Sequence, residues 1–174
     1  MRRDNIILVG FMGAGKSVCG RLLARRLGRC FVETDDMIVA REGRSIAEIF
    51  RQAGEERFRQ LEAEALELLA LKSGDVIATG GGFPCRDGRM EALAERGTVV
   101  WLGGDLRELY ERARRDGERP MLAARSFDEI ETLYRAREPY YRRAHLALDT
   151  TGLGPDEVVA RLLSALRQGH AARV

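Results

Sequence analysis

Two periodicities alternate along the chain. Short apolar runs at Asn5–Val9, Cys30–Val32, Val76–Ala78, Thr98–Leu102 and His145–Leu148 are strand-length, and their unbroken apolarity marks strands buried on both faces. Between them apolar residues recur every three or four positions, which predicts helices. These cover Lys16–Leu27, a segment from the Glu33–Asp36 cluster to about Arg41, Asp87–Glu95, Leu106–Arg114, Phe127–Arg143 with an interruption near Pro139, and Pro155–Leu166. Ser45 with Glu48 reads as a capping box opening a short helix with Ile46, Ile49 and Phe50 on its apolar face, and Glu55–Leu71 carries Phe58, Leu61, Ala65, Leu68 and Leu69 at helical spacing. Arg115–Ser126 is polar without periodicity, and the tail 169–174 is expected to fray. Five strands separated by helices predict one α/β domain over 1–174, a three-layer α/β/α stack around a five-stranded parallel sheet.

In such sheets ligands collect beyond the carboxyl ends of the strands, and three chemical features fall there. After strand one comes Gly10-Phe11-Met12-Gly13-Ala14-Gly15-Lys16-Ser17, which fits G-x-x-x-x-G-K-[ST] between a strand and a helix. Its glycines let successive N–H groups turn inward as an anion nest at a helix N-terminus. Lys16 then reaches the β- and γ-phosphates and the Ser17 hydroxyl binds Mg²⁺. The 29 basic residues include only two lysines, Lys16 and Lys72, so accident supplies about 0.001 such matches in a chain of this composition. After strand two stands Glu33-Thr34-Asp35-Asp36. A carboxylate there can hold Mg²⁺ through water or take a proton from an attacking hydroxyl, while Asp36 reads as an N-cap. After strand three comes Thr79-Gly80-Gly81-Gly82, suited to close approach of backbone to a ligand. That strand ends without a metal-binding Asp, and Asp105 reads as a helix cap.

Net charge is +2, with 27 acidic residues balancing the arginines, so no field calls for nucleic acid or an anionic membrane. Cys19, Cys30 and Cys85 lack metal-ligand spacing and fit free thiols in a reducing compartment. No run reaches 18 apolar residues, and the short polar N-terminus leaves no room for a signal peptide, so a cytoplasmic enzyme is expected. Arg59 on the long helix and Arg137 beside Pro139 are candidates to grip one small acid through its carboxylate. Arg119, in Gly117-Glu118-Arg119-Pro120, belongs to a candidate lid over about 112–126, and Arg115 is a candidate to stack on adenine.

Taken together, these residues resemble the shikimate kinases, small phosphate-loop kinases akin to nucleoside monophosphate kinases, over roughly residues 4–168. Gly10–Ser17 is similar to the family's phosphate loop, Glu33-Thr34-Asp35 to its Asp-x-Asp, and Gly80–Gly82 to its glycine triplet. Gly43–Ile46, Phe50 and Phe58-Arg59 resemble its substrate-binding subdomain, here about 33–61; Arg119-Pro120-Met121-Leu122 resembles the lid motif and Arg137–Tyr141 the acid-binding segment. The resemblance implies strand order 2-3-1-4-5 and transfer of the ATP γ-phosphoryl to the 3-hydroxyl of shikimate, with Mg²⁺. It implies Asp35 as base, Arg59, Arg137 and Gly80–Gly82 on the acid, and Lys16 and Arg119 on the γ-phosphate. Gly13, Ala14, Gly15, Lys16, Ser17 and Val18 would then hold the phosphates, Arg115 and Pro155 flank adenine, and Ser17 with Glu33 (through water) serve the metal. The partners implied are ATP, ADP and shikimate, on a monomer. Glu33 replaces the family's usual Asp and Met121 a common Leu. From the residues themselves, a kinase for another small acid such as gluconate and a nucleotide-binding switch without acceptor stay open.

Overall fold

Each apolar run becomes a strand of one sheet. The computed structural model describes residues 4–115 and 125–171. Its strands are β1 (Asn5–Val9), β2 (Phe31–Glu33), β3 (Val76–Ala78), β4 (Gly97–Gly103) and β5 (Leu146–Asp149), all parallel, in the order β2-β3-β1-β4-β5. Every residue of the central β1 is buried, as helices on both faces of a parallel sheet require. In register, Leu8 lies beside Ala78 and Val100, and Glu33 beside Ala78. The chain therefore leaves β1, β2 and β3 at one edge, carrying Gly10, Thr34 and Thr79 to a common place.

The helices among the described residues are α1 (Lys16–Leu27), α2 (Thr34–Glu42), α3 (Ile46–Leu69), α4 (Arg89–Arg96), α5 (Leu106–Arg115), α6 (Phe127–Tyr141) and α7 (Pro155–Ala171). Gly28 ends α1 in the left-handed conformation and returns its N–H to Ala24. Ser45 and Glu48 close the expected capping box. The two helices expected at Ser45–Phe50 and from Glu55 are the arms of α3, bent at Gly54 with φ 78 and ψ 177, where an L-residue would be strained.

Two expectations differ from the structure. Asp36 is not the N-cap of α2: the helix begins at Thr34, so Glu33 takes the cap position and Asp35 and Asp36 sit in the first turn. Pro139 does not interrupt α6, because it lies in the last turn, which the wholly buried Tyr141 anchors by stacking on Trp101. α7 runs to Ala171, and residues 172–174 of the tail lie outside the described residues.

Candidate active site

The phosphate loop owes its shape to its glycines. Gly13 and Gly15 lie at φ 75 and φ 79, and a methyl group on Gly13 would stand 1.9 Å from the Leu109 carbonyl oxygen of α5. The loop is thus clasped between α1 and α5 with its amides at the start of α1. Lys16 is buried and donates to the Gly10 and Phe11 carbonyls, both at 2.8 Å, arching its ammonium over the loop. Ala14 is buried and Val18 points outward, 57% exposed.

β2 delivers the carboxylates beside this loop. The Ser17 hydroxyl donates to Glu33, whose other oxygen accepts from Arg21 at 3.1 Å. The extra methylene of Glu33 carries its carboxylate onto the hydroxyl that the motif assigns to the metal. These are hard oxygen donors. Among the described residues no group of three or more His, Cys, Asp or Glu forms a cage. Such a donor set fits Mg²⁺, which takes one or two protein oxygens and completes its shell with phosphates and water.

The glycine triplet forms the wall between loop and acid pocket. Thr34, fully buried, accepts from Gly80 N at 3.0 Å, and the Tyr141 hydroxyl donates to the Gly81 carbonyl at 2.7 Å. A methyl group on Gly80 would meet Asp35 Oδ1 at 2.6 Å; on Gly82 it would meet Arg137 Nη2 at 3.0 Å and Arg59 Nη1 at 3.3 Å. On Gly81 it would touch Arg137, the Gly10 carbonyl and the Met12 amide. Four separate stretches of chain (Asp35, Arg59, Gly80–Gly82 and Arg137) therefore converge against the phosphate loop. Arg137 also lies 5.9 Å over the ring of Phe11 in that loop.

Arg59 and Arg137 line a cavity of about 390 Å³ with Gly82, Cys85, Arg86 and Tyr140 among its other walls. Glu62, 1% exposed, accepts from Arg59 Nη1 at 2.9 Å, and Glu55 accepts from its Nε and Nη2. Burial opposes the charge on Arg59, but these carboxylates outweigh it and raise its pKa. Arg89, buried over the Phe83 ring, is pushed the other way by desolvation. Burial likewise raises the Cys85 thiol, partly offset by Arg137. Of the residues around Arg59, Glu62 went unread in the sequence, although it stands one helical turn after Arg59 and that spacing is a usable signal.

On the nucleotide side two arginines of α5 stand one helical turn apart. Arg115 is 78% exposed and paired with Glu111. Arg112, one turn earlier, reaches the loop after β5, donating to the Thr150 carbonyl at 2.9 Å and the Leu153 carbonyl at 3.4 Å. Exposed Pro155 follows that loop at the start of α7. Asp105 does cap α5, accepting from Glu108 N at 3.0 Å. Arg119 and the rest of the Arg119–Leu122 segment lie outside the described residues.

Comparison with known proteins identifies the family. The family model for shikimate kinase matches residues 12–167. A shikimate kinase of Symbiobacterium thermophilum is 44% identical, covering 94% of this chain and 97% of its own. One of Geobacter sulfurreducens is also 44% identical, covering 94% and 91%. A solved shikimate kinase of Acinetobacter baumannii in complex with shikimate superposes with a TM-score of 0.89 at 35% identity, covering 96% of this chain and 94% of that one. With its phosphate loop, strand-edge carboxylates and paired arginines in one cleft, the chain belongs to the shikimate kinase family of ATP-dependent kinases.

Proposed function

We propose that this chain phosphorylates the 3-hydroxyl of shikimate from ATP with Asp35 as the base, Arg59 and Arg137 as the carboxylate clamp, and the loop Gly13–Val18 as the phosphate cradle. The observation that supports it is convergence: Asp35 and both arginines border the same three glycines, Gly80–Gly82. An acid held by its carboxylate at Arg59 and Arg137 would turn a ring hydroxyl toward Asp35 and the phosphate loop. Asp35 then accepts the hydroxyl proton as the oxygen attacks the γ-phosphorus, and the bond to the β-phosphate oxygen breaks to release ADP. Lys16 moves from its own loop carbonyls to the charge developing on the transferred group. Arg119 would add to that stabilisation from the lid. Arg112 and Pro155 flank the base.

Ser17 and Glu33 would hold Mg²⁺, which when bound neutralises charge on the β- and γ-oxygens. The bend at Gly54 gives the 33–61 subdomain a point about which to close. No helix among the described residues is long and apolar enough to cross a membrane; a monomer in the cytoplasm, bound to no nucleic acid, completes the reading. Measuring ADP release with a panel of acids tests it. Turnover should depend on shikimate, and shikimate-independent turnover or a preference for gluconate would defeat it.

A further inference from the structure

Arg59 is already engaged by carboxylates of its own helix. Its Nη1 donates to Glu62 at 2.9 Å, while its Nε and Nη2 both donate to Glu55 Oε1, at 3.2 and 2.9 Å. Every nitrogen of the guanidinium thus serves a protein carboxylate. The two carboxylates differ in kind. Glu62 is buried against Arg59, whereas the Glu55 side chain is 63% exposed. Glu55 also follows the bend at Gly54 directly, where the surroundings are open. Nε and Nη2 form an edge with which guanidinium groups grip carboxylates in a fork.

Glu55 lies within reach of a second cavity arginine, with Arg86 Nη2 at 4.0 Å. The hydrogen bond from Arg59 and its charge hold the Glu55 carboxyl below its ordinary range, with Arg86 and Arg137 adding smaller contributions. An exposed carboxylate is therefore set against the same cations that face the cavity. An incoming acid either takes its place on the Nε–Nη2 edge or adds a like charge beside it. In both cases the charge of Glu55 opposes acid binding.

We propose that Glu55 is a resident competitor for the substrate carboxylate at Arg59, displaced on binding and lowering affinity for the acid. This rests on the reading of Arg59 as part of the carboxylate clamp. Between folded states, Glu62 keeps Arg59 oriented while Glu55 exchanges with the ligand.

The test is equilibrium binding of shikimate and of its uncharged methyl ester, by calorimetry, to the full chain and to Glu55→Gln. An exposed ion pair of this kind moves an equilibrium by about two- to five-fold. Shikimate should bind Glu55→Gln tighter by about that factor, with the ester unmoved. Shikimate binding that is unchanged or weakened, or equal tightening of acid and ester, overturns the proposal. Arg59→Ala separates the two levels. Loss of shikimate affinity in that variant, with no gain in Glu55→Gln, defeats the competitor alone, whereas unchanged affinity in Arg59→Ala removes the clamp and the competitor with it.

Discussion

The phosphate loop and the acid pocket share a wall but are built in opposite ways. The loop is contiguous, its shape is written in backbone dihedrals at Gly13 and Gly15, and the body of α5 stands against it. The pocket is assembled from side chains on α2, α3, α6 and the segment after β3, and its Arg59 is steered by Glu55 and Glu62. A backbone site tolerates little change of shape and binds what every nucleoside triphosphate offers. A side-chain site can be retuned, and it carries the choice of acceptor. Asp35 stands where the two meet.

The boundary residue should give the largest effect. Asp35→Asn keeps the shape and removes the base, so kcat should fall by about 10²–10⁴ with ADP affinity little changed; steady-state kinetics with nucleotide titration checks both halves. Arg137→Ala belongs to the pocket alone. It should raise KM for shikimate by about 10- to 100-fold, the scale of a lost charged hydrogen bond, and leave KM for ATP nearly as it was.

Two glycine variants sharpen the contrast. Gly13→Ala combines a left-handed backbone with a methyl group 1.9 Å from the Leu109 oxygen, so it should destabilise the fold by at least about 1–2 kcal/mol and weaken nucleotide binding. Gly82→Ala meets only the ends of arginine side chains, at 3.0 and 3.3 Å. It should fold normally, show an unshifted melting temperature and lose affinity for the acid. Thermal melts of the two variants side by side distinguish backbone from side-chain construction.

The smallest expected effect lies in alkali. Burial raises the Cys19 and Cys85 thiols and lifts the Tyr141 phenol well above its ordinary value. The unfolded chain then sheds these protons first. Their contribution to stability is whole below the ordinary thiol range and is lost as pH rises through the higher folded values. Denaturant midpoints measured upward from neutral pH should decline accordingly, and Cys85→Ser should remove part of that decline.

What the sequence made legible follows the same division. The strands, the loop, the Ser45 cap and the break before Glu55 are local, since each depends on a few neighbouring residues whose chemistry is readable in order. The contact of Arg112 with the loop at Thr150 is legible only in the fold, because helical spacing sets Arg112 and Arg115 one turn apart without saying which turn meets that loop. The Glu33–Ser17 bond escaped for a related reason: one methylene of reach is invisible until β2 and α1 are side by side. Glu55 and Glu62 looked like ordinary surface charge on an acidic helix, and only the fold shows that both hold Arg59.

The most direct test is a crystal structure with ADP, Mg²⁺ and shikimate bound. The shikimate carboxylate should lie on Arg59 and Arg137, its 3-hydroxyl within about 2.6–3.2 Å of the Asp35 carboxylate, and Lys16 turned to the phosphates. A shikimate bound with its ring hydroxyls away from Asp35, or with its carboxylate off both arginines, would contradict the account.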